Sequence, residues 1–287
     1  MARSHLGRVI FWMTGALLSF CTMAVSIREL AGALNVAEIL AVRSAFGVVV
    51  LCAVVVVHRD LRKTLALRAM GLHLLRNGVH FAAQYAWALS LTLLPLATVF
   101  ALEFTTPAWV AVLAVPLLGE RMTLGRVGSV MLGFVGVLII VRPGLTAFHY
   151  GVLLMLATAL AFALTLIMTK KLTTVASTFA ILFWMNLIQL PLALAGSDAA
   201  FIDKLGHAPI AALVGIAVAG LTSHFCLANA FRAGDATTVV PLDFLRVPLI
   251  ALVGWIMYGE PLDPFVFTGA GVIVAGVVWN LRAESRR

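Results

Sequence analysis

Charged residues are scarce in this sequence. Of its 287 residues, 11% are charged and 62% are hydrophobic. Soluble domains carry roughly 25% charged residues, so this composition excludes an ordinary water-soluble protein. The apolar residues form runs long enough to cross a bilayer, which takes about 20 residues for a helix. Glycine and proline occur within these runs, as membrane helices tolerate when neighbours satisfy the freed backbone groups.

Cysteine is also scarce, and its placement excludes two kinds of site. Cys21, Cys52 and Cys226 all lie inside apolar runs. None has a neighbour at disulfide or metal-ligand spacing, so neither a disulfide framework nor a metal site is predicted. The three residues are interpreted as small core residues, and no cofactor is predicted.

Several catalytic and nucleotide-binding motifs are missing. The sequence contains no Gly-x-x-x-x-Gly-Lys-Ser/Thr, which excludes ATP hydrolysis as an energy source. It also contains no His-Glu-x-x-His, no Gly-x-Ser-x-Gly and no paired Asp-rich loop. These absences argue against a polytopic membrane enzyme.

The apolar runs predict an all-α integral membrane protein with ten transmembrane helices. The runs are 9–28, 37–57, 70–90, 97–118, 126–142, 151–169, 175–195, 209–231, 236–258 and 264–281. The first run lacks a small-residue cleavage site and is interpreted as a transmembrane helix, not a signal peptide. The connections are short, the longest being His58–Ala69 and Gly196–Ala208, so no separate soluble domain is predicted.

The basic residues predict orientation in the membrane. The net charge is +8, but the basic residues lie in short segments between apolar runs, which favours membrane orientation over nucleic-acid binding. With the N-terminus in the cytoplasm, three basic residues are periplasmic, namely Arg28, Arg142 and Lys204. Fourteen are then cytoplasmic, namely Arg3, Arg8, Arg59, Arg62, Lys63, Arg68, Arg121, Arg126, Lys170, Lys171, Arg232, Arg282, Arg286 and Arg287. This asymmetry predicts a bacterial inner-membrane protein with both termini cytoplasmic.

The chain repeats itself at an offset of 140 residues. Across positions 98–120 this offset matches seven identical residues, namely Thr98, Val99, Leu102, Phe104, Ala111, Gly119 and Glu120. It also places Glu103 on Asp243, and acidic residues are rare here. The predicted halves are 1–146 and 147–287. Because five helices is an odd number, the second half enters the membrane from the opposite side, and inverted repeats place substrate sites near the midplane.

The repeated segments carry a recognisable signature. The first half reads Ala-Leu-Glu-Phe-Thr-Thr-Pro-Ala-Trp, then Leu-Leu-Gly-Glu-Arg-Met-Thr, Gly133-Phe-Val-Gly136-Val-Leu-Ile and Arg142-Pro143; the second reads Val-Val-Pro-Leu-Asp-Phe-Leu-Arg-Val-Pro and Tyr-Gly-Glu-Pro-Leu-Asp. This pattern, over about residues 9–281, resembles the ten-helix EamA-type members of the drug/metabolite transporter superfamily. The second half departs from it with Gly-Glu-Pro in place of Gly-Glu-Arg, which weakens any charge-pair role for that loop.

The resemblance implies a secondary transporter with a central cavity. The first four helices of each half would line the cavity, with the fifth and tenth helices peripheral. Family members carry amino acids, nucleotide-sugar-like compounds, S-adenosylmethionine, riboflavin or toxic organic molecules, so the resemblance does not specify a substrate.

Ionisable residues inside the spans are the first candidates for function, because they are costly in lipid and usually face a bundle interior or a watery cavity. They are Arg43, Arg76, Glu103, Asp243 and Arg246, with Glu38 near the mouth of the second span. Glu103 and Asp243 are predicted on opposite sides of the midplane. The alternative is a structural ion pair, such as Asp243 with Arg246 at i, i+3.

Prolines and a polar stripe add further candidates. Pro107 and Pro248 remove helix hydrogen bonds to the carbonyls of Glu103 and Phe244. The freed carbonyls would bind a ligand or let the helix flex; the alternative is that each proline only produces a kink required by packing. The third span carries a polar stripe on one helix face, made of Arg76, His80 and Gln84, with Trp87 three residues further on. His224 is the counterpart of Gln84 at the 140-residue offset. Each histidine has a structural alternative as an interhelical hydrogen-bonding residue.

Glycines in the fifth and tenth spans predict close helix packing. They are Gly128, Gly133, Gly136, Gly269, Gly271 and Gly276. The packing is within one chain or between two copies, so a homodimer through these helices is an open alternative.

The predicted function is secondary transport of a small metabolite by alternating access. Three deep arginines against two acids leave a charge of about +1, which suits an amino-acid-like or other carboxylate-bearing substrate. The alternatives are export of planar drugs, uptake of a vitamin or an S-adenosylmethionine-like compound, a membrane enzyme, and a channel. Proton coupling and exchange are both open. Beyond the substrate and the lipid bilayer, no nucleic-acid partner is predicted.

Overall fold

The computed structural model describes residues 2–65, 67, 69–119, 122–142, 149–233, 239 and 242–285. Within these residues there are helices, turns and irregular segments, but no strand. The helices are α1 (Ala2–Leu30), α2 (Val36–Val57), α3 (Met70–Leu93), α4 (Leu96–Glu103), α5 (Thr106–Leu118), α6 (Leu124–Val141), α7 (Tyr150–Leu172), α8 (Thr178–Ala195), α9 (Phe201–His207), α10 (Ile210–Ala233), α11 (Arg246–Tyr258) and α12 (Pro264–Ser285).

Eight helical stretches in the described part of the chain are long and apolar enough to cross a membrane, with α4 and α5 counted as one. The helix α3 is 24 residues long but is not among the eight, and it carries the polar stripe that includes Arg76 and Gln84. The helix α11 has only 13 residues. The all-helical membrane fold is therefore confirmed, whereas ten spans and inverted repeats stay predictions.

Local sequence signals explain several helix ends. Asn35 and Glu38 form a capping box at the start of α2, in which each side chain accepts a hydrogen bond from the other residue's backbone N–H. Gly119 and Gly259 end α5 and α11 with φ angles of 69° and 63°. Residues with a Cβ rarely adopt these angles, so glycine is strongly favoured at both positions. The two glycines are 140 residues apart, like the other repeated positions.

The most extensive helix contacts each join one half of the chain to the other. They pair α1 with α10, α6 with α12, α3 with α7, and α2 with α8. A hydrogen bond of 2.8 Å between the hydroxyls of Ser19 and Thr222 lies in the first of these pairs. The halves are therefore interleaved around one core, which includes Ile27, Phe100 and Ile250.

The glycines of α6 and α12 let the two helices approach closely within one chain. A Cβ at Gly136 would lie 2.5 Å from the carbonyl oxygen of Gly269, and a Cβ at Gly269 would lie equally near that of Gly136. A Cβ at Gly276 would lie 2.9 Å from the Cβ of Leu132 and 3.2 Å from the carbonyl oxygen of Ser129. Gly128 packs against Trp279, Gly133 against Ala108, and only open space surrounds Gly271. These contacts are intramolecular, and a homodimer remains a prediction.

The structure differs from the sequence-based boundaries in four places. The fourth apolar run is two helices, α4 and α5, and not one, and the ninth run has a turn at Phe244 and Leu245 before α11 begins. The segment Gly196–Ala208 contains the short helix α9, and His58–Ala69 contains a 3-10 turn over Arg59–Thr64. Glu120, Arg121, Pro143 and the boundary between the predicted halves lie outside the described residues, as do Arg68, Arg286 and Arg287.

Candidate functional site

The fourth span is broken in the middle, next to a candidate acid. The helix α4 ends at Glu103 and α5 begins at Thr106. Pro107 has no N–H to donate to the Glu103 carbonyl, and the Thr106 hydroxyl donates to it instead, at 2.7 Å. A neighbouring hydroxyl therefore replaces the missing helix hydrogen bond at this carbonyl, and a role for the carbonyl in ligand binding stays a prediction.

A second break lies at the matching position of the other half. Phe244 and Leu245 form a turn, and α11 begins at Arg246. The carbonyl of Phe244, which Pro248 cannot bond, accepts the N–H of Val247 at 3.0 Å. The ring centroids of Phe104 and Phe244 are 5.6 Å apart in an edge-to-face contact, so the two breaks meet.

A cavity of about 640 Å³ lies between the two halves. All nine predicted binding or coupling residues line it, namely Arg43, Arg76, His80, Gln84, Trp87, Glu103, His224, Asp243 and Arg246. Pro107 also lines the cavity and Pro248 does not. Among the described residues, none from α6 or α12 lines it, so these two helices are peripheral to the cavity, which agrees with what the family resemblance implies for them.

Glu103, Asp243 and Arg246 form one cluster at the helix breaks. Nε of Arg246 donates to Oδ1 of Asp243 at 3.1 Å, Nη2 donates to Oδ2 of the same carboxylate, and Nη1 lies 3.4 Å from Oε1 of Glu103. The indole N–H of Trp87 donates to Oε2 of Glu103 at 2.8 Å. The guanidinium also lies 4.1 Å from the ring centroid of Phe20. The acids therefore share one arginine, where two separate acidic sites were expected.

Arg43 and Arg76 form a second, basic group in the same cavity. Arg43 donates to Oε1 of Gln84 at 2.7 Å, and the Gln84 amide lies 3.0 Å from Nε2 of His80. Arg76 donates to Oδ1 of Asn77 at 2.7 Å and, through Nε, to the Thr169 hydroxyl at 3.2 Å. No carboxylate in the described part of the chain lies within 4 Å of either guanidinium.

The two ends of the cavity differ. Thr173 and Thr178, at the turn between α7 and α8, line the cavity and are exposed. At the other end the lining residues Ile27, Leu40 and Ile216 are buried. The cavity is therefore open towards the α7–α8 turn. It is closed on the other side, where α1 ends and where α2 and α10 begin.

An ion pair between Arg28 and Glu260 lies on the closed side. Besides this ion pair, the Arg28 guanidinium donates to the Leu91 carbonyl, at 2.8 Å from Nε, and to the Leu94 carbonyl. The Glu260 carboxylate also accepts the backbone N–H of Leu96 at 2.9 Å. The ends of α1 and α3, the start of α4 and the segment after α11 are thus held together.

Glu38 belongs to a second polar cluster on the closed side. Its side chain is fully buried and lies outside the cavity. Oε1 of Glu38 accepts the ammonium of Lys204 at 3.0 Å and the backbone N–H of Asp198 at 3.2 Å. Hydrogen bonds to Asp198 and Glu38 raise the pKa of Lys204. Glu38 therefore joins α2 to the α8–α9 connection and has an oppositely charged partner, whereas the described residues place no carboxylate against Arg43.

Sequence reasoning did not identify the aromatic and hydroxyl part of the lining. Phe20, Phe104 and Phe162 line the cavity, as do Thr165 and Thr169. Phenylalanine in an apolar span has no signal that separates cavity-facing from lipid-facing positions. The threonines carry a weak signal, because Thr165, Thr169 and Thr173 recur every four residues on one face of α7.

Comparison with known proteins places the chain among membrane transporters. Residues 7–142 and 149–282 each match the family described as "EamA-like transporter family". The chain is 31% identical to a riboflavin transporter of Rhizobium johnstonii over 222 residues, covering 75% of this chain and 71% of that protein. It is 25% identical to an S-adenosylmethionine uptake transporter of Rickettsia felis, covering 96% and 93%.

A solved crystal structure of a protein has the same fold. It superposes with a TM-score of 0.61 at 16% identity, and the match covers 97% of this chain and 98% of that one.

Proposed function

Because the chain belongs to the EamA-like transporter family, we propose that it carries a small carboxylate-bearing metabolite across the membrane by alternating access. The family and its named relatives make the chain a multi-pass inner-membrane transporter and not an enzyme. The observation that carries the proposal is the central cavity, which is lined by both halves and open at one end. Its lining holds three arginines and two acids, and arginine binds carboxylates well.

The proposal includes ten spans arranged as two inverted halves. The pairing of α1 with α10 and of α3 with α7 supports it, because exchanging the two halves converts one pair into the other. The pairs α2 with α8 and α6 with α12 convert into themselves. The matching helix breaks and the Gly119 and Gly259 helix ends support it further. Alternating access would then break the Arg28–Glu260 contacts and close the end near Thr178.

The alternative substrates are those of the relatives. One relative is named for riboflavin and another for S-adenosylmethionine uptake. S-adenosylmethionine carries a carboxylate, so it belongs to both the main proposal and the alternative. Uptake into proteoliposomes of radiolabelled amino acids, S-adenosylmethionine and riboflavin tests the proposal. Saturable uptake of one of them supports transport, and no uptake of any of them contradicts it for these classes.

The inverted arrangement predicts opposite sides for two loops. In a background with the native cysteines replaced by alanine, Asp60→Cys and Ile202→Cys both place thiols at exposed positions. We expect a membrane-impermeant maleimide to label Ile202→Cys in intact cells, and Asp60→Cys only after permeabilisation. Labelling of both from the same side would contradict both the inverted repeat and the predicted orientation.

The two cavity acids are expected to be needed for transport. Glu103→Gln and Asp243→Asn preserve side-chain shape but remove charge from the Arg246 cluster. We expect each variant to insert at normal abundance and to transport at least about tenfold more slowly, since a hydrogen bond to a charged group contributes about 1.5–3 kcal/mol. Asp60→Asn, at an exposed position, is the control. Full transport in either cavity variant, at matched abundance, would assign that acid a structural role only.

A further inference from the structure

The geometry points to Arg43 and Arg76 as an anion subsite that binds the carboxylate or phosphate group of the transported molecule, an inference that rests on the proposed transport function. The sequence alone singles out all three deep arginines equally. The structure separates them by their partners.

The guanidinium of Arg246 is already paired with carboxylates of the protein. Its three guanidinium nitrogens each contact a carboxylate oxygen of Asp243 or Glu103, and its face lies on Phe20. A substrate carboxylate would have to displace an existing one. Counting one positive and two negative groups, this cluster has a net charge of about −1 when all three are ionised.

Arg43 and Arg76 are in the opposite situation. Both are buried, with exposures of 4% and 7%. Within the described part of the chain their hydrogen bonds go only to the neutral groups of Gln84, Asn77 and Thr169. Nε of Arg43 is buried and has no hydrogen-bond partner among the described residues. Because neither guanidinium has a carboxylate partner among the described residues, the two residues supply a charge of about +2 to the cavity. A cationic group in a membrane span is costly unless it is paired or faces water, so a bound anion would stabilise both.

The neighbouring side chains complete the subsite. Gln84 links Arg43 on α2 to His80 on α3, and His80 lies one helical turn beyond Arg76. Nδ1 of His80 is also buried, with no partner among the residues that the structure describes, which makes it a further group able to hydrogen-bond an anionic ligand. Arginine offers a planar pair of donors that matches carboxylate and phosphate oxygens.

The subsite also gives the bound molecule an orientation. Arg76, His80, Gln84 and Trp87 follow one face of α3 from the open end of the cavity inwards, a rise of about 16 Å over 11 residues at 1.5 Å each. The anionic group would lie towards Arg76, and the remainder of the molecule would reach Trp87 and the net-negative Arg246 cluster. An elongated metabolite with an anionic group at one end and a cationic or aromatic group at the other fits this distribution of charge.

Two matched pairs of probes test the subsite. S-adenosylmethionine and decarboxylated S-adenosylmethionine differ in one carboxylate, and flavin mononucleotide and riboflavin differ in one phosphate. A ligand that binds only the folded state raises the melting temperature, so the affinities of purified protein are measured by thermal shift. In at least one pair, we expect the member that carries the carboxylate or phosphate to bind about tenfold or more tightly than its partner. The pair that discriminates identifies the anion as a carboxylate or a phosphate.

Substitutions test whether Arg43 and Arg76 cause the preference for the probe that carries the carboxylate or phosphate. Arg43→Gln and Arg76→Gln should each reduce the preference for the anionic probe by about tenfold, with little change for its partner. Gly220→Ala offers a second route that keeps the charge, because the added Cβ would lie 2.7 Å from Nε of Arg43 and displace the side chain. It should also weaken the preference. Gly78→Ala, where the Cβ meets nothing within 4 Å, is the matched control and should leave it unchanged.

The outcomes for the subsite and for transport are distinguishable. Equal binding within both pairs, or a preference that survives in both arginine variants, would overturn the anion subsite even if proteoliposome uptake is normal. Binding of none of the four probes would overturn it for these two anion classes, and uptake of amino acids would still support transport. A fall in the ligand-free melting temperature identifies an arginine variant that fails to fold. In that case the anion preference of Gly220→Ala, which keeps both arginines, decides for or against the subsite.

Discussion

Arg246→Gln is expected to lower the free energy of unfolding by about 3–5 kcal/mol and to abolish transport. Removing one member of a buried ion pair leaves an uncompensated charge, and the cost is of this size. Here the change leaves two carboxylates, Asp243 and Glu103, without a cation. The Arg246 side chain is 5% exposed, and those of the two acids are 16% and 20% exposed, so water compensates them only partly. The melting temperature of the purified variant measures the loss.

The double variant Asp243→Asn with Arg246→Gln separates stability from transport. The double variant leaves one carboxylate, Glu103, without a cation, whereas Arg246→Gln alone leaves two. The double variant should therefore melt closer to the wild type than Arg246→Gln does. Glu103 keeps its hydrogen bond from Trp87. Transport should remain lost, because no charged contact then joins the end of α4 to the start of α11.

Arg62→Gln is the control for these variants, since it removes an arginine from an exposed position in the 3-10 turn. It should leave both the melting temperature and transport unchanged. Transport by the double variant at the wild-type rate would contradict any role for Arg246 beyond packing.

The residues that line the cavity could be predicted from the sequence for a simple physical reason. Polar and charged groups are costly in lipid, so those within apolar runs face the interior. All nine candidates, including Arg43 and Trp87, line one cavity. The i, i+3 spacing of Asp243 and Arg246 also indicated their pairing, although the two residues lie on either side of the turn at Phe244 and Leu245.

The partners across the bundle could not be predicted. Glu103 and Arg246 are separated by 143 residues, and their contact depends on where two broken helices cross. The break after Glu103 falls at the carbonyl that Pro107 cannot bond, and Pro107 lies in the first turn of α5. Proline therefore indicated the break, whereas the hydroxyls of Thr105 and Thr106 that bond carbonyls of the preceding turn were not anticipated. Phe20 carries no sequence signal, and its place against Arg246 follows from the packing of α1.

The Arg28–Glu260 ion pair is expected to control access from the closed side. Glu260→Gln keeps the shape of the side chain and an acceptor for the Leu96 N–H, but removes the charge that Arg28 pairs with. A hydrogen bond between charged groups contributes about 1.5–3 kcal/mol. If these contacts form only while this side is closed, their loss should shift the population of the open state by roughly ten- to hundredfold.

Cysteine accessibility measures this shift. Met23 lines the cavity and is buried, so Met23→Cys in a background without native cysteines reports access from the closed side. An impermeant maleimide should label it slowly in intact cells, and roughly ten- to hundredfold faster when Glu260→Gln is added. The Ile202→Cys labelling experiment shows independently which side the reagent reaches.

A glycine pair provides a matched steric version of the same experiment. A Cβ at Gly254 would lie 2.4 Å from Oε2 of Glu260, whereas a Cβ at Gly271 would meet nothing within 4 Å. Gly254→Ala must therefore displace the Glu260 carboxylate and should speed the labelling of Met23→Cys, although less than Glu260→Gln because the charge remains. Gly271→Ala should leave the rate unchanged. An unchanged labelling rate in both Glu260→Gln and Gly254→Ala, at matched abundance, would show that this ion pair does not hold the closed side shut.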